Sequence, residues 1–392
     1  MYEQLKQRFA ETFGREAAYL FSAPGRTELG GNHTDHQLGR VLAGAVSLDT
    51  VAAVALNDKE TVRILSEGYP ICEVELHDLD ARPGEQGSTM ALIRGILGGL
   101  RDRGAALPGF DAYVTSRVLP GSGLSSSAAF EVLVGTVASH LSGAGLTPLE
   151  IAQLGQYAEN VYFGKPCGLM DQAASAIGGV ITIDFADRSA PQVEHLELDL
   201  TAAGYALCII DSGADHADLT DEYAAIPGEL EQVCRVFGQS VLRQVDEETF
   251  YRNLPEARAA AGDRAVLRAI HVFEDNRRVQ RQVAALREGD FEGFLELVRE
   301  SGRSSWMYLQ NVIPTGATGH QELALSLALA EKLLGGRGAC RVHGGGFAGT
   351  IQAFVPLDML EDFCAQIEQV LGEGSCHVLN IRPEGGVLLE EL

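Results

Sequence analysis

The sequence lacks long apolar runs and runs of basic residues. No window approaches about 18 uncharged apolar residues, so we expect no membrane-spanning helix, and residues 1–25 lack the apolar core of a signal peptide. The formal net charge of −24 would repel nucleic acid and anionic membranes. We therefore expect a cytoplasmic protein that binds small molecules, with no nucleic-acid or membrane partner.

Closely spaced cysteine pairs are also missing. The seven cysteines are odd in number and scattered, with no CxxC spacing, so we predict reduced thiols rather than a disulfide framework or a zinc site. We expect Cys340, Cys364 and Cys376 to be core residues. The lone tryptophan, Trp306, is expected to be a packed aromatic residue.

The length and composition allow two domains with sizeable cores. The chain has 392 residues, of which 46% are hydrophobic and 21% charged, whereas single cores stop growing at about 250–300 residues. Predicted strands and helices mix without strict alternation, which favours an α/β protein of the α+β type with split βαβ units over a doubly wound sheet. We place a soft boundary near residue 200, giving domains 1–200 and 201–392.

Hydrophobic periodicity and the positions of glycine and proline predict the individual elements. Strands are expected at residues 17–26, 40–56, 61–79, 109–120, 204–213 and 340–356, and at the C-terminus. Pro24-Gly25 is expected to break the first of them, and the strand at 340–356 contains a glycine turn. Helices are expected at 2–13, 88–104, 147–164, 172–177, 228–238, 263–287, 291–302, 319–335 and 357–371.

A glycine- and serine-rich stretch, PGSGLSSSAA at 120–129, joins a predicted strand to a predicted helix. Gly121 and Gly123 let the backbone approach a ligand, while the free N–H groups and the dipole of the following helix favour negative charge. The serines add hydroxyl donors and an oxygen ligand for Mg²⁺. The stretch is neither a Walker A motif nor GxGxxG, and a serine-capped helix after a flexible turn is the alternative.

Two carboxylates further along the chain would complete such a site. Glu159 lies near the end of a predicted helix, and Asp171 opens a short one, where backbone N–H groups and the helix dipole keep it ionised. An ordinary N-cap is the alternative for Asp171. A second glycine turn, RVHGGGFAGT at 341–350, fits a tight β-turn as well as a phosphate clamp.

The stretch GRTELGGNHTDHQLGR at 25–40 combines glycines with two histidines, an asparagine and an aspartate. It suits a metal site, a phosphate loop or a pocket for a ligand rich in hydroxyls. An HxxH metal site is disfavoured, because small and polar residues between strands offer no helical face to hold two imidazoles.

Taken together, these blocks resemble the GHMP small-molecule kinase superfamily, and within it the galactokinases. APGRTELGGNHTDH (23–36) is similar to the galactokinase sugar signature, PGSGLSSSAA to the phosphate loop, AENVYFGKPCGLMDQ (158–172) to the stretch with the catalytic aspartate, and GGGFAGT (344–350) to the last glycine motif. The resemblance covers almost the whole chain. It implies a two-domain architecture with ATP and sugar in the inter-domain cleft, and a last strand free to return to the N-terminal domain.

The resemblance also implies ATP- and Mg²⁺-dependent phosphorylation of the anomeric hydroxyl of a galactose-type sugar. Asp171 would orient or deprotonate that hydroxyl, and Arg26 would steady the charge between it and the γ-phosphate. Mg²⁺ would be held by Ser127 and Glu159. The ATP phosphates would lie among Gly121, Gly123, Leu124, Ser125, Ser126, Gly345 and Gly346. The sugar would be lined by Asn32, His33, Asp35, His36, Gly168 and Tyr223.

The sugar signature departs from the family pattern at four positions. Glu28 replaces an asparagine, Gly30 an isoleucine, Asn32 an acidic residue and His36 a tyrosine. Asn32 would remove the repulsion of a carboxylate at C6 of the sugar, and a charged His36 would attract it. Galacturonate is therefore an alternative substrate, and galactose remains the preferred expectation.

Two further functions remain open on the same fold. A non-catalytic sugar sensor is disfavoured by the intact Ser127-Ala128 pair and both carboxylates. A kinase acting on an isoprenoid or amino-acid alcohol is disfavoured by the polar HTDH block. No partner helix or coiled coil is indicated, and we expect a monomer or a weak dimer.

Overall fold

The computed structural model describes residues 2–118, 121–214 and 219–392. The end of the strand expected at 109–120, the first residue of the glycine–serine stretch and residues 215–218 lie outside the described residues. The mixed α/β architecture expected from the sequence is confirmed.

The strands form two sheets. In chain order they are β1 Tyr19–Gly30, β2 Arg40–Leu56, β3 Thr61–Ser66, β4 Cys72–Glu75, β5 Phe110–Ser116, β6 Val180–Asp184, β7 Gln192–Leu196, β8 Tyr205–Asp211, β9 Ala339–Val342, β10 Thr350–Pro356, β11 Cys376–Leu379 and β12 Val387–Glu391. The first sheet has the order β12-β1-β2-β5-β3-β4, with β6 paired to β2 and β7 to β6. The second has the order β11-β8-β10-β9 and is antiparallel.

The helices cover these sheets. In chain order they are α1 Tyr2–Phe13, α2 Thr89–Asp102, α3 Ser126–Ser142, α4 Pro148–Tyr157, α5 Met170–Ile177, α6 Thr220–Val236, α7 Glu247–Arg252, α8 Leu254–Ala261, α9 Asp263–Glu288, α10 Phe291–Ser304, α11 Glu322–Leu334 and α12 Leu360–Leu371. Short π-helical turns, Ala158–Phe163 and Ser305–Leu309, follow α4 and α10. Helices α7 and α8 were not expected, and α6 begins earlier than expected, with Pro227 inside it.

Strand β1 was expected to break at Pro24 but continues to Gly30. Its register against β2 shifts between Pro24 and Arg26, because proline has no N–H to donate to the ladder. Beyond the shift Arg26 pairs with Ala45. Arg26 is therefore held in the sheet by its pairing with β2.

The buried side chains join the two sheets. One apolar cluster contains Leu29 and Leu42 of the first sheet together with Leu207 and Phe354 of the second. The last strand, β12, pairs antiparallel with β1 at the start of the chain. The division of the chain at residue 200 stays a prediction.

The sequence also predicts that no helix spans a membrane and that Trp306 is packed. Among the described residues, no helix is long and apolar enough to cross a membrane. Trp306, expected to be packed, is 42% exposed in the turn after α10. Its neighbours Ser305 and Leu309 fill the buried side of that turn, which leaves the indole on the outside.

Candidate active site

The side chains of Arg26 and Asp171 meet although 145 positions separate them in the chain. Nε and Nη2 of Arg26 donate to Oδ1 and Oδ2 of Asp171 at 2.8 and 2.9 Å, which makes a two-point ion pair. The side chain of Arg26 is 7% exposed, whereas that of Asp171 is 36% exposed. The carboxylate is therefore open to a reactant while the guanidinium is held behind it.

The local sequence explains the position of each partner. A Cβ at Gly25 would lie 2.9 Å from the carbonyl oxygen of Leu124, so a side chain would prevent β1 from approaching this loop. Asp171 lies in the first turn of α5, where the helix dipole favours its charge. Leu169 occupies the N-cap position, so the N-cap alternative for Asp171 is wrong.

The Asp171 carboxylate is held in its ionised form. Burial opposes the charge, but the Arg26 guanidinium and its hydrogen bonds bring the pKa of Asp171 below its ordinary value. The hydroxyl of Ser125 donates a further hydrogen bond to Oδ2. A carboxylate with a lowered pKa is a weak base, so it is better suited to orient a hydroxyl than to remove its proton early.

The glycine–serine stretch turns into α3 beside this ion pair. Nη1 of Arg26 donates to the carbonyl oxygen of Gly123. Ser125, the residue before α3, has a left-handed φ of 57°, and such strain in a non-glycine residue is frequent at functional sites. Ser126 and Ser127 begin the helix. The free N–H groups of its first turn are thus available to an anion near Asp171.

Leu124 differs from the other residues expected around phosphates. Its side chain is fully buried in the apolar cluster that joins the two sheets, so only its backbone is able to contact a ligand. Gly121 has a φ of 75°, a conformation that would strain any side chain there.

His343 was not expected to take part, yet it links β1 to the glycine–serine stretch. The backbone N–H of Glu28 donates to Nε2 of His343 at 3.3 Å, and Nδ1 lies 3.1 Å from Oγ1 of Thr350. The Thr350 hydroxyl donates in turn to the carbonyl oxygen of Ser122 at 2.8 Å. Burial brings the pKa of His343 well below its ordinary value. The ring that connects these hydrogen bonds is therefore neutral. Its place directly before the glycine turn was the available signal.

The expected metal ligand Glu159 lies in the π-helical turn after α4. Its Oε2 accepts a hydrogen bond from Nε2 of Gln172 at 3.0 Å, and the same nitrogen donates to Oε2 of Glu131 at 2.9 Å. Nζ of Lys165 lies 3.7 Å from Oε1 of Glu159. Two carboxylates therefore share one amide donor.

Glu131 was missed, although it lies four residues after Ser127 on α3 and hence on the same helix face. It is fully buried, and its Oε1 has no hydrogen-bond partner among the described residues. Burial, together with the charge of Glu159, raises the pKa of Glu131 well above its ordinary value. The hydroxyl of Ser127 and the carboxyl groups of Glu159 and Glu131 are hard oxygen donors of the kind that Mg²⁺ prefers. These residues therefore fit this ion.

His33 and His36 form a hydrogen-bonded pair in the expected sugar pocket. Nδ1 of His33 lies 3.3 Å from Nε2 of His36, and Nε2 of His33 lies 3.1 Å from the carbonyl oxygen of Gly345. Nε2 of Gln37 lies 3.0 Å from Nδ1 of His36. Because a carbonyl only accepts, His33 carries its proton on Nε2 and receives a hydrogen bond from His36. Two neutral rings satisfy every contact in this row.

Both imidazoles are uncharged for a physical reason. Burial lowers the pKa of His33, and burial together with the neighbouring His33 lowers the pKa of His36 to about 3. The expectation that His36 carries positive charge is therefore wrong. This pair offers no cation to a carboxylate at C6 of a sugar.

Asp35 and Gly168, both expected at the sugar, lie directly against each other. A Cβ at Gly168 would overlap the Asp35 carboxylate, and Oδ1 of Asp35 accepts from the N–H of His36 at 2.7 Å. Burial, reinforced by the negative charge of Asp171, raises the pKa of Asp35 to about 6. The pocket thus contains two neighbouring carboxyl groups.

Asn32 does not reach this pocket with its side chain, which is completely buried. Its Nδ2 donates to the carbonyl oxygen of Gly344 at 2.7 Å and to Oε1 of Glu28 at 3.0 Å. Its Oδ1 accepts from Nδ2 of Asn311 at 3.0 Å and from the Ser305 hydroxyl at 3.3 Å. Both polar atoms of the amide are bonded inside the protein, which argues against the expected direct contact with the sugar.

The other unusual residues of the signature also have partners inside the protein. Glu28 is buried in an ion pair with Arg341, whose Nη2 donates to Oε1. Burial nevertheless raises the pKa of Glu28 above its ordinary value. Gly30 leaves room for Gln282 of α9, whose amide oxygen a Cβ would overlap. Glu28 and Gly30 thus contact residues that are distant in the chain, Arg341 and Gln282.

The last glycine turn packs against Tyr223. The hydroxyl of Tyr223 donates to the carbonyl oxygen of Gly346 at 2.9 Å, and a Cβ at Gly345 would lie 2.8 Å from the Tyr223 ring. Phe347 has a left-handed φ of 60°. Tyr223, expected at the sugar, therefore contacts the glycine turn, and phosphate binding by Gly345 and Gly346 stays a prediction.

Comparisons with known proteins identify relatives of this chain. The profile of the GHMP kinases N terminal domain matches residues 91–179, and that of the galactokinase galactose-binding signature matches residues 7–56. A galactokinase of Streptomyces coelicolor is 35% identical over 349 residues, which is 88% of this chain and 86% of that protein.

Solved structures match the fold along nearly the whole chain. Lactococcus lactis galactokinase complexed with galactose matches with a TM-score of 0.85 at 27% identity, covering 99% of this chain and 100% of that one. Mevalonate kinase of Methanococcus jannaschii matches with a TM-score of 0.65 at 14% identity, covering 94% and 99%. At that identity the second match shows the fold alone.

Proposed function

Because this chain belongs to the galactokinase family and is an ATP-dependent sugar kinase, we propose that it phosphorylates the anomeric hydroxyl of galactose. The observation that carries the proposal is the two-point ion pair of Arg26 with the partly exposed Asp171, beside the start of α3. In this transfer the hydroxyl loses its proton, its oxygen bonds to the γ-phosphorus of ATP, and ADP leaves.

In the proposed mechanism Asp171 orients the anomeric hydroxyl and accepts its proton late. A loose phosphoryl-transfer transition state needs little deprotonation beforehand, which suits a carboxylate of lowered pKa. Arg26 stabilises negative charge between the hydroxyl and the phosphate. The first turn of α3, with Gly121, Gly123 and the backbone around them, holds the phosphates.

We place Mg²⁺ at Ser127 and Glu159. When bound, the ion would neutralise charge on the phosphates and orient them for transfer. Gln172 supports this arrangement because its amide nitrogen donates both to the Glu159 carboxylate and to the neighbouring Glu131.

The choice of galactose over galacturonate rests on charge. Asn32 is buried, His36 is neutral, and the carboxyl groups of Asp35 and Asp171 lie in the same pocket. A substrate with its own carboxylate at C6 would be repelled by these carboxyl groups, and the guanidinium of Arg26 beside them is already paired with Asp171. We further propose that the enzyme works in the cytoplasm, which agrees with its free cysteines, and that it is a monomer or a weak dimer.

ADP release with a panel of monosaccharides tests this proposal, and ³¹P NMR identifies the phosphorylated position. We expect kcat/KM for galactose to exceed that for galacturonate at least about a hundredfold, the scale of an unpaired buried charge. Absence of turnover on every sugar, with ATP bound normally, would reject the kinase mechanism. Faster turnover of galacturonate would reject the assigned substrate and leave the mechanism intact.

A further inference from the structure

Three of the seven cysteines meet in the second sheet layer. Cys208 lies on β8, Cys364 on α12 and Cys376 at the start of β11, and their sulfur atoms all lie within 4.8 Å of one another. The thiol of Cys376 donates to Sγ of Cys364 at 3.5 Å. These cysteines are scattered in the sequence but not in space.

The strand register and one helix bring the sulfurs together. Cys208 pairs with Val378 across β8 and β11, so Cys376, two residues along β11, points to the same face. Helix α12 packs on that face through Phe363 and Ile367. It thereby places Cys364 above the two strand cysteines.

The sulfur separations suit a cation held between them. A metal–thiolate bond is about 2.3 Å long, so three sulfurs around one ion would stand about 4 Å apart. One observed separation is 3.5 Å and none exceeds 4.8 Å, so the three sulfurs are close enough to share one ion. Soft sulfur ligands select Cu(I) and Zn²⁺ among biological metals.

The number of ligands separates these two ions. Within the described part of the chain, no histidine or carboxylate lies close enough to all three sulfurs to serve as a fourth ligand. Structural Zn²⁺ takes four protein ligands, and the surrounding side chains form an apolar cluster. A site of three sulfurs therefore favours the monovalent ion.

We propose that Cys208, Cys364 and Cys376 form a binding site for a thiophilic cation, with Cu(I) preferred over Zn²⁺. On binding, Cu–S bonds replace S–H bonds and the thiol protons pass to water, with no change of oxidation state. Cys208 is buried and Cys364 is partly exposed, so the ion enters from the α12 side. The site is separate from the residues assigned to sugar and ATP.

The test is an anaerobic titration of the reduced, full-length protein with Cu(I) against a coloured Cu(I) chelator. We expect one tightly bound ion, with affinity reduced at least about tenfold in Cys364→Ser and in Cys376→Ser. Cys72 and Cys340 are also partly exposed but lie outside the group, so Cys72→Ser and Cys340→Ser should bind as the wild type does. Equal affinity in all variants, or tighter binding of Zn²⁺ in a parallel titration, would overturn the proposal.

A second measurement needs no variant and so does not depend on variant folding. Alkylation by iodoacetamide, mapped by mass spectrometry, should slow at least about tenfold at Cys364 when one equivalent of Cu(I) is present. Alkylation of Cys72 should not change. Unchanged alkylation of Cys364 would exclude the site.

Discussion

Gly168 packs so closely against Asp35 that a methyl group at position 168 would occupy the space of the Asp35 carboxylate. Gly168→Ala should therefore displace Asp35 and raise KM for the sugar at least about tenfold, with KM for ATP changed less than about threefold. Steady-state kinetics with each substrate varied in turn measures both constants. The magnitude corresponds to losing about 1.4 kcal/mol, roughly one hydrogen bond to a charged group.

Gly228 provides the matched control for this substitution. It lies inside α6 with nothing near its notional Cβ, so Gly228→Ala should leave both KM values unchanged and stabilise the helix slightly. If Gly168→Ala behaved like this control, Asp35 would not depend on Gly168 for its position.

Replacement of Asp171 by asparagine preserves its size but removes its charge. Asp171→Asn should lower kcat at least about a hundredfold, the usual range for a positioned proton acceptor. KM for ATP should change little, since the phosphates are assigned to α3 and the glycine turn before it. Asp362→Asn, an exposed carboxylate on α12, is the control. A kcat within a factor of five of the wild type would remove Asp171 from the reaction.

Replacement of Asn32 by glutamate tests whether this side chain contacts the sugar. The new carboxylate would be buried beside Glu28, whose Oε1 lies 3.0 Å from Nδ2 of Asn32. We expect destabilisation by about 3 kcal/mol or more, the cost of an uncompensated buried charge, measured by urea unfolding. The ratio of galactose turnover to galacturonate turnover should stay near its wild-type value.

The control for Asn32→Glu is Gln239→Glu, which adds the same charge at an exposed position. This control should unfold at nearly the wild-type urea concentration. A stable Asn32→Glu protein with improved galactose preference would show that residue 32 faces the sugar after all.

The carboxyl group of Asp35 should make sugar binding depend on pH near 6. Burial and Asp171 raise its pKa to about 6, so below this value the group is protonated, loses its negative charge and accepts hydrogen bonds from the sugar more weakly. KM for galactose should therefore rise as the pH falls from 7 to 5. Asp35→Asn should bind more weakly at every pH and lack this dependence.

The same shift predicts the sign of a stability effect. The pKa of Asp35 is higher in the folded protein than its ordinary value of 3.8, so the folded state binds more protons between about pH 4 and 6. Stability from this group is therefore present at low pH and is lost as pH rises through about 6. Urea unfolding of the wild type and Asp35→Asn should diverge over that interval, and parallel curves would contradict the shift.

Much of the architecture could be predicted because its signals are local. Buried strands rich in valine and alanine, the glycine and proline positions, and the capping box of Thr147 and Glu150 at α4 all operate within a few residues. Helices α7 and α8, of six and eight residues, escaped prediction because they are too short to display a clear period. Helix α5 also has eight residues, but Asp171 at its start and two glycines after it mark its ends.

In the candidate site, too, the features set by neighbouring residues could be predicted and those set by distant residues could not. The glycine–serine stretch announces an anion-binding turn, since strand, glycines and helix start are contiguous. Whether Asn32 faces a sugar or the interior depends on Asn311, Ser305 and Asp275, whose carboxylate accepts from the Asn32 backbone N–H at 2.7 Å. Those residues lie more than 240 positions away in the chain, so no local pattern reveals them.

The sequence by itself determined the element types, the mixed α/β class and the blocks that identify the family, because each depends on neighbouring residues or on the order of short motifs. The tertiary structure alone decided the ion pair of Arg26 with Asp171, the neutral histidine pair and the meeting of Cys208 with Cys364 and Cys376. The physical reason is that charge, burial and ligand geometry arise from contacts between distant segments. Such contacts exist only after sheets and helices have packed.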